Sequence, residues 1–209
     1  MKKLLLIIPF GAMFFSACRK VQNLEELQAA FVVQTAKASS ANFGAYKTYF
    51  ISDSIRMKSD NPNDSLFVGP DALALVNTVK QNMNKLGYTL VARTAKPDLG
   101  IALVGIKNLN ITAIYGGWWG GGYWGGCYWG YCGYPPYYGY GYPVYYTITT
   151  ASLIMDMMDL KNANAAHQTL DVLWTSVMSG GLGFTSNDIA LGTDAINQSF
   201  VQSPYIHTP

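Results

Sequence analysis

Residues Leu99 to Ile106 read LGIALVGI, eight positions without a charge or a polar side chain. A strand with one wet face alternates apolar and polar residues, whereas a short continuous apolar run suits a strand covered on both faces. Pro97-Asp98 punctuates its start and Lys107 follows its end. The run therefore reads as the central strand of a sheet, and the rest of the chain must supply what covers it.

Upstream, Asp71 to Leu86 is the clearest helix. Ala72, Leu75, Val79, Met83 and Leu86 recur every three or four residues and build one apolar face. Asp71 suits a helix start and Gly87 a C′ stop. Before it, Phe31-Val32-Val33 and Tyr46 to Ile51 are rich in β-formers. Ser52 to Gly69 reads as a polar loop turning at DNPND, residues 60–64. Leu90 to Ala92 is a short strand.

Downstream, Thr147 to Leu160 (TITTASLIMDMMDL) alternates, with Ala151, Leu153, Met155 and Met157 on one face. Leu170 to Met178 returns as its hairpin partner after a polar turn, and glycines 180, 181 and 183 make the next turn. A second helix spans about Ser186 to Gln202, burying Ile189, Ile196 and Phe200, and Pro204 ends it. Two amphipathic helices need one sheet face to cover. The order predicts an α+β fold: a two-layer mixed β-sheet with two amphipathic helices packed on one face and a long Gly/Tyr/Trp-rich loop.

That loop is Gly116 to Pro143, GGWWGGGYWGGCYWGYCGYPPYYGYGYP. It holds eleven glycines, eight tyrosines and four of the chain's five tryptophans. Glycine makes backbone ordering costly, so an exposed, mobile excursion is expected rather than core. Exposed rings mark contact sites. Trp118, Trp119, Tyr123, Trp124, Tyr128, Trp129, Tyr137 and Tyr138 are the candidate contact surface, for sugar faces, a lipid interface or similar loops; a tolerated insertion without a partner is the alternative. Cys127 and Cys132, four residues between them, suit a small disulfide loop or remain free thiols. A metal pair would need two more ligands, and His167 and His207 are distant, so no metal or cofactor is expected.

The N-terminus carries an address. Lys2 and Lys3 precede an apolar stretch, Leu4 to Phe15, too short to cross a bilayer as a helix, followed by Ser16-Ala17 and Cys18. FSAC resembles the lipobox of bacterial lipoproteins. The resemblance implies cleavage before Cys18, diacylglycerol on its thiol and acylation of the new amine; a secreted protein with an incidental cysteine is the alternative. Arg19 at the next position implies outer-membrane sorting, and the lack of an acidic run there implies a periplasm-facing protein. Residues 1–17 are thus the signal peptide, 18–29 a tether, and 30–209 a single domain with its insert at 116–143. The mature chain balances 12 basic against 12 acidic residues after Lys2 and Lys3 leave. A neutral chain has no electrostatic footprint for nucleic acid.

Catalytic grammar is sparse. Asp98, Asp156 and Asp159 are the carboxylates an envelope hydrolase would use. Yet residues three apart on a strand point to opposite faces, so Asp156 and Asp159 read as structural: Asp159 opening a turn, Asp156 on an exposed or helix-facing side. SGGLGF, residues 179–184, lacks the lysine of a phosphate loop and reads as a turn.

Several short motifs, in order, resemble a known lipoprotein family, the domain of unknown function numbered 4136. They are Phe43-Gly44-Ala45-Tyr46-Lys47-Thr48-Tyr49, Leu86-Gly87-Tyr88, Pro97-Asp98-Leu99, Leu153 to Asp159 (LIMDMMD), Leu173-Trp174-Thr175 and Ile196…Phe200…Pro204. Ser176 stands where the family usually has a glycine. The resemblance implies an envelope lipoprotein and adds no reaction. The expectation is a non-enzymatic structural or interaction module, held to the membrane by its lipid, with a glycan or envelope protein as partner; an envelope hydrolase or an accessory subunit of an envelope assembly are the alternatives.

Overall fold

The computed structural model describes residues 31–61, 63–108, 151–163, 169–182 and 184–208. It adds the backbone of short strands at 111–114, 127–128, 131–132, 136–137 and 145–148. Cys18, the signal segment, the tether and, in the insert, Trp118, Trp119, Tyr123, Trp124, Trp129 and Tyr138 lie outside the described residues.

In chain order the strands are β1 (Val32–Lys37), β2 (Thr48–Ile51), β3 (Ile55–Ser59), β4 (Leu66–Phe67), β5 (Thr89–Leu90) and β6 (Leu99–Lys107). Then come β7 (Ile111–Ile114), β8 (Cys127–Tyr128), β9 (Tyr131–Cys132), β10 (Pro136–Tyr137), β11 (Tyr145–Ile148), β12 (Ser152–Asp159) and β13 (Leu170–Ser179). The helices are α1 (Pro70–Lys85) and α2 (Ile189–Val201).

β6 is the central strand that its composition predicts. β12 lies antiparallel on one side, from Ser152 opposite Ile106 to Asp159 opposite Leu99. β13 pairs antiparallel with β12, and β1 antiparallel with β13. The other side of β6 is shared: β2 runs parallel to Leu99–Ile101, and β3 runs parallel to Val104–Lys107. The sheet is mixed and open.

Both helices cover one face. Leu99, Ile101, Leu103, Leu153, Met155, Met157, Trp174 and Met178 meet Leu75, Val76, Val79 and Met83 of α1 and Ala195, Ile196 and Phe200 of α2. Each large apolar side chain removed from water contributes roughly 1.5–3 kcal/mol, which makes this layer the main source of stability. The opposite face is buried as well: Val104, Ile106, Ile154, Met158, Val172 and Val177 are almost inaccessible. β10 pairs in parallel with Leu170 and Asp171, and β11 lies beside β13.

Four expectations need correction. Ser52 to Gly69 is not a loop, because Ile55-Arg56-Met57-Lys58-Ser59 alternates inward and outward and completes the ladder along β6. Val32–Lys37 extends the first strand beyond Val33, since β13 offers partners for all six residues. Asp71 does not cap α1. Gly69 occupies the cap and Pro70 the first turn, where its missing N–H costs nothing, while the Asp71 carboxylate accepts from Ser186 Oγ at 2.7 Å. Finally, Thr147 to Leu160 is two strands. Ala151 has φ of 64°, so the chain bends there: residues 145–148 pair with β7 and 152–159 with β6.

The end of α1 follows its sequence signal. Gly87 sits at φ 92°, Tyr88 N–H reaches Met83 O and Gly87 N–H reaches Asn84 O, the paired bonds of a Schellman stop. The C-terminal tail lies over this stop, with Thr208 N–H donating to Leu86 O.

Candidate functional site

Several described polar side chains gather at one end of the sheet. At the end where β6 begins and β12 finishes, Asp159 is 6% exposed and surrounded by donors. Tyr46 Oη donates to its Oδ2 at 2.7 Å, Asn162 Nδ2 at 2.9 Å, and Asn162 N–H to Oδ1 at 2.8 Å. The last bond opens the turn after β12, the role its position in the sequence suggests. Burial and the carboxylate it serves push the Tyr46 hydroxyl well above the ordinary tyrosine range.

Asp98 stands beside this cluster. Its Oδ2 accepts from the backbone of Lys47 at 2.7 Å and Thr48 at 3.1 Å, while Thr48 Oγ1 accepts from Asp98 N–H. Burial alone pushes the carboxyl up. The two N–H donors and the Lys161 ammonium, 4.0 Å away, outweigh it and hold the group below the usual carboxylate range. Asp98 thus pins the start of β2 to the start of β6. Desolvation and the neighbouring Asp159 push Asp171 the other way, upward.

Asp156 lies elsewhere. It is 1% exposed and accepts from Thr175 Oγ1 at 2.7 Å. Counting along β12 from Met157, which meets the helices, puts it on the helix-free face. The exposed or helix-facing setting expected for it is corrected, because both faces of the sheet are covered. Asp98 and Asp159 therefore share one end of the sheet, and Asp156 does not join them. The oxygens of Asp98 and Asp159 already hold backbone and side-chain donors in place.

Other sequence candidates resolve into packing. Trp174 is fully buried, its Nε1 donates to Ser203 Oγ at 2.9 Å, and its ring lies 5.7 Å from Phe200. The 179–184 run turns through Gly180 and Gly181, both at positive φ. Beside it, a cavity of about 10 Å³ is lined by Leu75, Leu153, Leu182, Phe184, Ile189 and Gly192 with Asp188. A void of that size holds about one water and no substrate. Tyr49 and Tyr88 are core tyrosines whose burial pushes both hydroxyls up to about 12. Among the described residues no group of three His, Cys, Asp or Glu side chains is placed to hold a metal, and no helix is long and apolar enough to cross a membrane.

The insert enters the description through its ladders. β6 and β12 are antiparallel neighbours, so the insert joins two facing strand ends, Ile106 and Ser152. β7 pairs with β11, and β8 with β9, both antiparallel and in one continuous register. Cys127 and Cys132 occupy directly opposed positions in the second ladder. Tyr128 and Tyr137 fall in short strands of this region.

Sequence reasoning did not single out the residues that bind these carboxylates: Tyr46, Asn162 and Thr175. Their partners lie 113, 3 and 19 positions away. Only Asn162, one turn past a strand end, carries a local signal, that of a side chain bonding within a turn.

The fold and its polar struts define a class: an open mixed-sheet α+β domain with two helices on one face and an elaborated hairpin between its central strands. The chain belongs to the family described as Domain of unknown function (DUF4136), which matches residues 33–205. A solved DUF4136 family protein from Bacteroides thetaiotaomicron is 30% identical, with a TM-score of 0.63 over 85% of this chain and 97% of that one. Fainter likenesses are PelC from Paraburkholderia phytofirmans, a dodecamer (12% identity, TM-score 0.41, 86% and 100% covered), and a PDZ domain protein from Parabacteroides distasonis (14%, 0.44, 84% and 36%). No curated protein matches the chain.

Proposed function

We propose that this DUF4136 protein is a non-enzymatic envelope lipoprotein, anchored through Cys18 to the outer membrane and facing the periplasm. Its α+β domain is a rigid frame, and the aromatic insert is the contact surface for glycan, membrane or another envelope protein. The observation that carries the reading is how the insert is mounted. It grows from facing ends of β6 and β12, neighbouring strands buried on both sides, so a load on the insert reaches a well-packed part of the domain. A surface loop without a role has no need of such a root.

Two further features support the reading. Asp98 and Asp159, carboxylates a hydrolase would need free, serve as struts between strands. Cys127 and Cys132 face each other in an antiparallel ladder, where Cα separations of about 4.5–5.5 Å fall within disulfide range. We assign them a cross-strand disulfide: exchange with a disulfide donor removes two protons and two electrons from the thiols and reduces the donor to two thiols.

The test is co-sedimentation of the full lipoprotein with peptidoglycan, capsular glycan and liposomes. Wild type is compared with a variant carrying Trp118, Trp119, Trp124 and Trp129 changed to Ala. Deleting 116–143 is a poorer comparison, because it also removes β10 from the edge of β13. Loss of recovery on at least one partner is expected. Equal recovery on all of them removes the insert as a contact surface.

A further inference from the structure

Among the described residues, β1 is the long strand with an open side. It pairs with β13 through six residues in unbroken register, and no described strand lies along its other side. At the opposite side of the sheet, β4 and β5 are only two residues each. Sheet edges are ordinarily blunted by charge, proline or a bulge, because their unpaired N–H and C=O groups template a further strand. Val32-Val33-Gln34-Thr35-Ala36 carries none of these, and Lys37 closes the run.

The ladder fixes which backbone groups face outward. Ala38 N–H donates to Leu173 O at 2.9 Å, and one step beyond the Lys37–Trp174 pair these two residues stand directly opposite. Bonded and non-bonded pairs alternate along an antiparallel ladder. Val32, Gln34 and Ala36 therefore bond β13, while Val33, Thr35 and Lys37 turn their N–H and C=O groups to the open side. The side chains of those three lie on the helix-bearing face: Val33 packs against the core, and Lys37 Nζ stands 4.9 Å from the centroid of the Tyr205 ring.

We infer that this edge is a dimer interface, where β1 of a second copy of the chain pairs antiparallel about a two-fold axis through Thr35. The occupant follows from the symmetry of the strand itself. With Thr35 opposite Thr35, Val33 of each copy meets Lys37 of the other. All three outward residues then exchange both backbone bonds, about six bonds in all. No like charges face each other, whereas a parallel copy in register would set Lys37 beside Lys37. On the other face Gln34 meets Ala36, and Val32, 57% exposed in the single chain, comes opposite Ala38. The contact is isologous and closes at two copies, because it consumes the long open edge of each. The interface depends on neither the lipid anchor nor the insert.

Cysteine crosslinking of the full-length chain, purified in mild detergent with Cys127 and Cys132 changed to Ser, reads the register. Directly opposed bonded residues have Cα atoms about 5.5 Å apart, within disulfide range, so Thr35→Cys should give a disulfide-linked dimer under mild oxidation. Val33→Cys and Lys37→Cys should each stay monomeric alone, since like positions lie four residues apart, about 14 Å along the strand. Mixed, the two proteins should link to one another at least about fivefold more than either links to itself. Without oxidant, wild type should sediment as two chains, and Thr35→Lys, which sets two ammonium groups together on the axis, as one. Thr35→Cys linking no more than its parent, or Val33→Cys linking to itself as readily as to Lys37→Cys, overturns the interface, as does a wild-type chain that sediments as a monomer. If Thr35→Cys fails to fold, the mixed pair decides.

Discussion

Tyr46→Phe isolates one bond in the strut cluster. The change keeps the ring, which is buried in the core, and removes only the hydroxyl that donates to Asp159 at 2.7 Å. No cavity forms, so the cost is the loss of a charge-assisted hydrogen bond to a buried carboxylate, about 1.5–3 kcal/mol. Asn162 still supplies two donors, at 2.8 and 2.9 Å, which argues for the lower half of that interval. For a domain of this size each kcal/mol moves Tm by about 2–4 °C, so a fall of roughly 3–9 °C is expected. Tyr49→Phe is the matched control. Its hydroxyl faces only neutral acceptors at longer range, Lys80 O at 3.3 Å and Asn84 Oδ1 at 3.2 Å, and its loss costs about 0.5–1 kcal/mol. Thermal and urea unfolding of both variants, followed by circular dichroism, give the comparison. If Tyr46→Phe is no more destabilising than Tyr49→Phe, Asp159 is not held as a strut by Tyr46 and the reading that removes it from catalysis fails.

Three other outcomes follow from the same geometry. Asp98→Asn should lower stability at neutral pH. Asp98's folded pKa is depressed, so its stabilisation exists above the unfolded value and disappears as pH falls through the folded one; the gap between wild type and variant closes in acid. Asp171→Asn should do the reverse. A raised folded pKa makes the ionised form a liability that grows as pH rises through it, so this variant gains stability at pH 7 and matches wild type in acid, as urea midpoints across pH 3–8 would show. Gly87→Ala places a methyl in a left-handed conformation and against Thr208 Oγ1. A loss of about 1–3 kcal/mol is expected, with earlier proteolytic release of the tail, and Thr208→Ala should recover the steric part but not the backbone part.

Much of this architecture is visible in single residues. The unbroken LGIALVGI run requires cover on both faces, and the structure supplies it. The 3.6-residue rhythm of Ala72 to Met83, stopped at Gly87, gives α1 with its Schellman end. What escaped notice has physical causes. β3 is short, carries Arg56 and Lys58 outward and sits beside DNPND turn chemistry, so local polarity masks a strand held by tertiary pairing with β6. Ala151 looks like one more member of an alternating strand; only the change of partner from β7 to β6 forces its positive φ. The site divides in the same way. That Asp156 and Asp159 face apart follows from strand geometry, and their partners Thr175 and Tyr46 are legible only once the register is known.

The central claim is that this domain is held to a membrane by lipid on its first mature residue. Intact-mass spectrometry of the native protein extracted from membranes tests it most directly. The account predicts a chain beginning at Cys18 with the mass of diacylglycerol and an amide-linked acyl chain added. A chain retaining residues 1–17, or one beginning near Cys18 with no lipid mass, contradicts it.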